Sequence, residues 1–244
     1  MQPPTHDAKW RFFWKIGERP KEIEDTIPQT IPEDFPEWEY EMNTWGTHMI
    51  TACYTAAEMC AVGMGLDKDT FTEKMNLGPH LLAPTASDLT KYEVGTNFAG
   101  FHYDLNFITI HGKSRYPGLF LWTKDMQRFS ASIPDGCLLL QAGIMLEQIT
   151  GGYIKAGFHE VIYTDKTKAV FDKKKQENEQ GAKHILWRIS STLFSHLRHD
   201  VDLSPIENIK HLWDQTAVDN GKYPKQTAHE RLMIELKAIN LANN

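Results

Sequence analysis

A chain of 244 residues is large enough to bury one substantial core and short of the length at which division is forced, so residues 1–244 read as a single domain. The composition, 41% hydrophobic with 11% aromatic and 24% charged residues, excludes disordered, collagen-like and low-complexity classes. Twenty-six basic against 32 acidic residues leave a formal charge of −6, which argues against nucleic acid or an anionic membrane as the main partner and for a small-molecule ligand.

From Asp7 to Phe13 an aromatic-rich turn leads into a Pro- and Glu-rich strap over 17–36, whose prolines at 20, 28, 32 and 36 forbid a continuous helix. Asp34 stands three residues before Glu37, with Pro36 in the first turn, and opens a long amphipathic helix. Its apolar positions are Trp38, Met42, Trp45, Met49, Cys53, Ala56 and Cys60, and Gly63 and Gly65 end it. A second helix is predicted from 67 or 68 to 76. After Pro84 the pattern changes to short apolar runs between turn residues: FITIHG, GLFLW, FSASI, GCLLLQAG, YIKAGFHEVIY and LWRISSTLFSHL. Runs of this kind without helical spacers predict an antiparallel sandwich or barrel. The charged stretch 164–183 has no place in a strand and reads as a short solvated helix or a mobile loop, with a lid over bound substrate as the sharper alternative. Residues 230–241 predict a closing helix. The chain therefore divides into a helical part (1–83), a β core with a charged insertion (84–203, insertion 164–183) and a tail with a helix (204–244).

Cys53, Cys60 and Cys137 lack CxxC spacing, so a disulfide framework or structural zinc is not expected, and each reads as a small buried hydrophobe. No apolar run approaches the ~18 residues of a membrane span, and the start MQPPTHDAKW lacks a signal peptide's apolar core; the expected location is cytoplasmic.

The chemistry concentrates in His102-Tyr103-Asp104. On a strand, residues i and i+2 share a face, which would set an imidazole beside a carboxylate. A third candidate ligand is His159, at the start of the β-like run HEVIY. Two imidazoles and one carboxylate leave about three positions open on a metal, which suits ferrous iron; zinc is the competing occupant. By itself an HxD tripeptide in a chain with 11 histidines arises easily by chance. Arg188 and Ser190 share a face by the same period and form a fork for a carboxylate, where the bland alternative is a surface salt bridge.

The order of H-x-D, an apolar strand after Gly118-Leu119, PDGCLLLQAGIMLEQITGGYIKAGFH over 134–159, and Arg-x-Ser at 188–190 resembles the isopenicillin N synthase-like branch of the 2-oxoglutarate/Fe(II)-dependent oxygenases. The likeness runs from about Tyr92 to Phe194. It implies a mainly β fold with flanking helices, a double-stranded β-helix (jelly-roll, cupin-like) core preceded by the long helix. It also implies His102, Asp104 and His159 as Fe(II) ligands, Arg188 and Ser190 as binders of the distal carboxylate of 2-oxoglutarate, and Tyr92 as a cosubstrate contact. Departures are Gly143-Ile144 for the family's Gly-Asp, Gln141 for a nearby Asn, Glu93 for a Pro after Tyr92, and a long gap between His159 and Arg188. The family's upstream half has no visible counterpart, so the chain reads as a shortened version or a fragment.

The resemblance implies a dioxygenase that uses Fe(II), 2-oxoglutarate and O2 to oxidise a small organic substrate by hydroxylation, desaturation or cyclisation, releasing succinate and CO2. An Fe(II)/O2 oxidase without 2-oxoglutarate, a silent jelly-roll binding module and, more remotely, a zinc hydrolase are the alternatives. Substrate identity and oligomeric state stay open. Tyr103, Leu105, Asn106 and Phe120 are candidate substrate-facing residues, with packing roles the plainer reading. His111, His196 and His199 read as bystanders, the last two at a rim.

Overall fold

A computed structural model describes residues 7–20 and 28–238 of the protein. The long amphipathic pattern forms helix α1 (Trp38–Gly63). Its buried stripe is Met42, Gly46, Met49, Cys53, Ala57 and Ala61, at the three- and four-residue spacing of one helix face. Gly46, Ala57 and Ala61 thus replace Trp45, Ala56 and Cys60 at the contact, because small residues let the helix backbone approach its neighbours. A Cβ at Gly46 would overlap the Ile16 side chain. Trp45 lies partly outside, its indole N–H donating to Ser191 Oγ at 2.6 Å. Helix α2 (Thr72–Met75) is shorter than predicted, since residues 68–71 form turns.

The remaining chain is mainly β, in three antiparallel sheets. The first contains β1 (Trp10–Arg11), β4 (Thr85–Asp88) and β11 (Trp187–Ser190), in the order β1-β4-β11. The second runs β5 (Asn97–His102), β10 (Phe158–Ile162), β7 (Leu119–Trp122) and β8 (Arg128–Ser130). The third runs β2 (Trp14–Lys15), β3 (Leu81–Leu82), β12 (Thr192–Ser195), β6 (Ile108–His111) and β9 (Leu139–Ala142), with α1 packed on β6 and β12. Each of the six apolar runs after Pro84 contributes a strand. Residues 7–13, read as a turn, instead supply β1, and β2 follows directly, so the part expected to be helical also edges two sheets.

Strands β3, β4 and β5 and helix α3 (Ile144–Ile149) have no counterpart in the strand prediction. Strand β5 carries no clean alternation in NFAGFH, and α3 follows β9 through Gly143, where a Cβ would strike the carbonyl of Asn106. The charged insertion is helix α4 (Asp165–Glu179), opened by a reciprocal capping box between Thr164 and Thr167. Only Thr167 is buried along it, as a solvated helix requires. The C-terminal region adds α5 (Gln215–Asp219) and α6 (Ala228–Ala238); residues 239–241 of the predicted closing helix and 21–27 of the strap lie outside the described residues.

The main core joins α1 and the third sheet through Met49, Phe71, Leu82, Phe107, Ile110 and Leu193, all at or near zero exposure. A smaller cluster gathers Leu89, Phe98, Tyr116 and Tyr163. Cys53 is buried as expected, Cys60 only partly, and Cys137 is exposed, because it sits in the turn leading into β9 rather than on its inner face. No helix among the described residues is long and apolar enough to cross a membrane.

Candidate metal centre and its cavity

His102 ends β5 and is the register partner of His159 on β10, so adjoining strands bring two imidazoles from distant parts of the chain within 4.2 Å between ring centroids. Asp104 reaches them by a different route from the one its spacing predicts. The strand stops at His102, and Asp104 lies in the following turn, its carbonyl accepting from Ile144 N–H at 2.9 Å at the start of α3. The turn swings Asp104 Oδ1 to 3.8 Å from His102 Nε2 and 3.9 Å from His159 Nε2. One donor atom from each of the three residues lies within 4.8 Å of the others, a group that could hold a metal ion.

The surroundings prepare these atoms for a cation. His102 Nδ1 stands 2.6 Å from the Gly100 carbonyl, which fixes a proton there and leaves Nε2 with its lone pair. The Thr109 hydroxyl donates to Asp104 Oδ2 at 2.7 Å, leaving Oδ1 for the metal. His159 and Asp104 are 4% and 5% exposed. Burial drives the His159 imidazole down to about 3 against the opposing pull of Asp104, so it is neutral, as ligation requires, at physiological pH. Burial alone would raise the Asp104 carboxyl; the imidazoles of His159, His111 and His102 and the Thr109 hydroxyl outweigh it and hold the group below its ordinary range. Two imidazole nitrogens with one carboxylate oxygen match the donor set of non-haem ferrous iron.

Two further residues belong to this environment. The Gln141 amide, on β9, lies 2.7 Å from His159 Nδ1 and donates to the Gly157 carbonyl at 2.5 Å, while its oxygen stands 3.2 Å from His111 Nε2. His111 is thus no bystander: it is buried, lines the same cavity and places its ring 5.6 Å from that of His159. His196 is remote from that lining; it is buried, with its backbone N–H donating to His80 Nδ1 at 3.0 Å. His199 instead packs its ring 5.1 Å from that of His229.

Arg188 and Ser190 also line the cavity. Arg188 is buried at 8% exposure, donates through Nε to the Pro117 carbonyl at 3.2 Å, and has no carboxylate within ion-pair reach among the described residues. Burial lowers its guanidinium to about 10, still a cation at neutral pH. Ser190 Oγ makes only a 3.5 Å contact with the Gly112 carbonyl. A second cavity, lined by residues 112–117 and 131–133, meets the first at His111, Leu119, Arg188 and Ser190.

Other expected residues fall elsewhere. Tyr92 does not line the cavity: it packs edge-on against Phe98 at 5.9 Å, because the short 92–96 turn ties it to the small aromatic cluster. None of Tyr103, Leu105, Asn106 and Phe120 lines it either. Tyr103 donates to Glu235 Oε1 at 3.0 Å, Asn106 Nδ2 donates to the carbonyls of Ile108 and Ser195, and Phe120 lies under the Arg128 guanidinium. Conversely, Lys9, just before β1, and Arg11 on β1 line the cavity without having been anticipated. Their only sequence signal is the one-residue spacing in KWR.

No family model and no curated protein matches the chain. Solved structures do. A full-length Neurospora crassa protein in complex with alpha-KG (2-oxoglutarate) superposes with a TM-score of 0.71 at 19% identity, covering 95% of this chain and 66% of that one. Further structures of the same Neurospora crassa protein hold thymine or 5-formyluracil together with alpha-KG. JOX2, in complex with 2OG, Fe and JA, gives a TM-score of 0.66 at 16% identity over 93% of this chain and 60% of that one. The rice dioxygenase for auxin oxidation gives 0.62 at 14% identity, over 83% and 60%. The chain has the fold of these oxygenases and spans between 60% and 70% of their length.

Proposed function

We propose that this chain, which shares its fold with the 2-oxoglutarate/Fe(II)-dependent oxygenases, is an oxidoreductase of that kind acting on a small organic molecule, with succinate and CO2 as coproducts. In this reading the antiparallel sheets form the walls of a double-stranded β-helix, or jelly roll, and residues 84–203 are its catalytic core. His102, Asp104 and His159 hold Fe(II), and Arg188 with Ser190 receives the distal carboxylate of 2-oxoglutarate. The observation that carries the proposal is the coincidence, in one cavity, of two imidazole nitrogens and a carboxylate oxygen within 4.8 Å with a buried arginine that has no counter-ion among the described residues.

When bound, iron and cosubstrate supply activation of dioxygen coupled to oxidative decarboxylation. The chain's own residues supply placement. The Gly100 carbonyl orients the His102 ring, Thr109 orients Asp104, and Gln141 braces His159. Arg188 offers a planar fork to a carboxylate, and its burial strengthens that attraction by excluding water. Burial of Asp104 and His159 also shields that side of the centre from solvent, while His102 stays partly exposed.

The test is anaerobic addition of Fe(II) and 2-oxoglutarate, followed by absorption spectroscopy. Chelation of both produces a metal-to-ligand charge-transfer band in the wild type and none in His102→Ala. Absence of the band in wild type overturns the proposal. A band accompanied by substrate turnover without succinate would instead support the oxidase reading.

A further inference from the structure

The first sheet presents a continuous cationic wall to the cavity. In an antiparallel sheet, register partners project to the same face, as do residues two apart on one strand. Arg11 pairs with Thr85 on β4, and Thr85 with Ser190 on β11. One step along, Ser87 pairs with Arg188, and Lys9, just ahead of β1, lines the same cavity. A row Arg11-Thr85-Ser190 and a pair Ser87-Arg188 result, and with Lys9 all six residues line the cavity. The cations stand at opposite edges, with hydroxyls between them. Two strand spacings separate β1 from β11, roughly 10 Å.

The cations at the β1 edge are not equivalent. Lys9 is neutralised by Asp7, Nζ to Oδ2 at 2.7 Å, and the other oxygen of Asp7 accepts from Gly100 N–H at 2.9 Å. Arg11 has no such partner among the described residues. Its Nε donates to the Thr85 hydroxyl at 3.1 Å, and its guanidinium stands over the rings of Phe13 and Phe194, at 5.9 and 5.2 Å from their centroids. The aromatic rings and the Thr85 hydroxyl hold the fork without consuming its charge. Arg11 is also exposed, and so open to an incoming ligand, while Phe194 lines the same cavity with an apolar surface beside it.

We infer that Arg11 is the specificity residue for a second anion: the oxidised substrate carries a carboxylate, bound by the Arg11 fork at the β1 edge, with an apolar body lying against Phe194 toward His102, Asp104 and His159. This deepens the function proposed above and rests on it. Arg188 serves the cosubstrate at one edge of the sheet, and Arg11 serves the substrate at the other. A carboxylate suits the position because it is planar, takes two parallel N–H donors and neutralises a single charge.

The test is isothermal titration calorimetry on the full chain loaded with Mn(II) and 2-oxoglutarate, using phenylacetate and hexanoate against their uncharged counterparts, phenylacetamide and hexanamide. At least one acid is expected to bind about tenfold or more tightly than its amide, as one lost charge-assisted contact requires. Arg11→Met removes that preference and leaves 2-oxoglutarate affinity unchanged, whereas Arg11→Lys retains part of it. The inference is overturned when no acid outbinds its amide, when Arg11→Met leaves the preference intact, or when Arg11→Met weakens 2-oxoglutarate instead, which would assign the β1 edge to the cosubstrate. Should 2-oxoglutarate fail to bind the wild type, the proposed function fails, and the same acid–amide comparison on the Mn(II)-loaded protein still decides the role of Arg11. Thermal melting of both variants controls for folding.

Discussion

The side-chain amide of Gln141 lies 2.7 Å from Nδ1 of His159, on the edge of the imidazole opposite the Nε2 that faces Asp104. The same amide is held by the Gly157 carbonyl, so ring orientation is set from β9 and the entry to β10 together. Gln141→Ala removes this brace and leaves the three donor residues in place. Mn(II) affinity is expected to fall about 10- to 100-fold, the usual cost of losing a partner of a ligating histidine. Calorimetry measures it, and an unchanged affinity would show that strand pairing alone fixes the ring.

Arg188 makes opposite predictions for binding and for stability. Arg188→Met removes the fork for 2-oxoglutarate, and cosubstrate affinity drops about 10- to 100-fold, from the loss of charge-assisted hydrogen bonds. The same change replaces a buried cation lacking a counter-ion with an apolar side chain of similar length, so the thermal midpoint holds or rises. A lower midpoint would mean that the single bond to Pro117 outweighs the desolvation of the guanidinium.

Gly143 links the fold to the centre. A Cβ there meets the carbonyl of Asn106, and the next residue, Ile144, donates to the carbonyl of Asp104. Gly143→Ala is expected to cost about 1 to 3 kcal/mol of stability by overpacking and to weaken Mn(II) binding as well, because it displaces the turn that carries Asp104. Urea denaturation and calorimetry on one preparation separate the two effects; loss of stability with unchanged metal affinity would refute the linkage.

Acid sensitivity follows from His80 and His196. Burial lowers them to about 4 and about 3, while in the unfolded chain both titrate near 6.5. Above 6.5 both states are neutral there, and the folded form carries no penalty. As pH falls from 6.5 toward 4, the unfolded chain takes up protons that the folded chain refuses, so stability declines. Urea midpoints between pH 7.5 and 4.5 should show this limb, and His196→Gln should make it shallower. A limb of equal slope in the variant would point to other groups.

How legible the molecule was differs from residue to residue. Arg188 and Ser190 lie two apart on strand β11 and both face the cavity, as their spacing predicts. His102 and Asp104 do come together, but not as neighbours on one strand, because β5 stops at His102. Where β5 ends depends on the distant α3, whose Ile144 N–H captures the Asp104 carbonyl, and no local pattern contains that information. Strand β1 is two residues long, below the length at which alternation can be recognised, so Lys9 and Arg11 went unseen. Tyr92 illustrates the reverse case: an aromatic at a suggestive distance from His102 is claimed by the nearest apolar cluster. For the charged stretch 164–183 composition left a solvated helix and a mobile loop open; the structure has helix α4, opened by the Thr164–Thr167 capping box.

Asp7 fastens the leading segment to β5 by bridging Lys9 and the Gly100 amide, and the carbonyl of that same Gly100 steers the His102 ring. The earliest described residues are therefore structural parts of the centre rather than a dispensable leader. Trimming the chain to residue 12, or engineering a protease site across 7–11, would strip Lys9 and Arg11 from one side of the cavity. Ligand binding measured on a preparation shortened in this way would not stand for that of the whole, because the Asp7 tie to β5 and the Arg11 edge of the cavity would be missing.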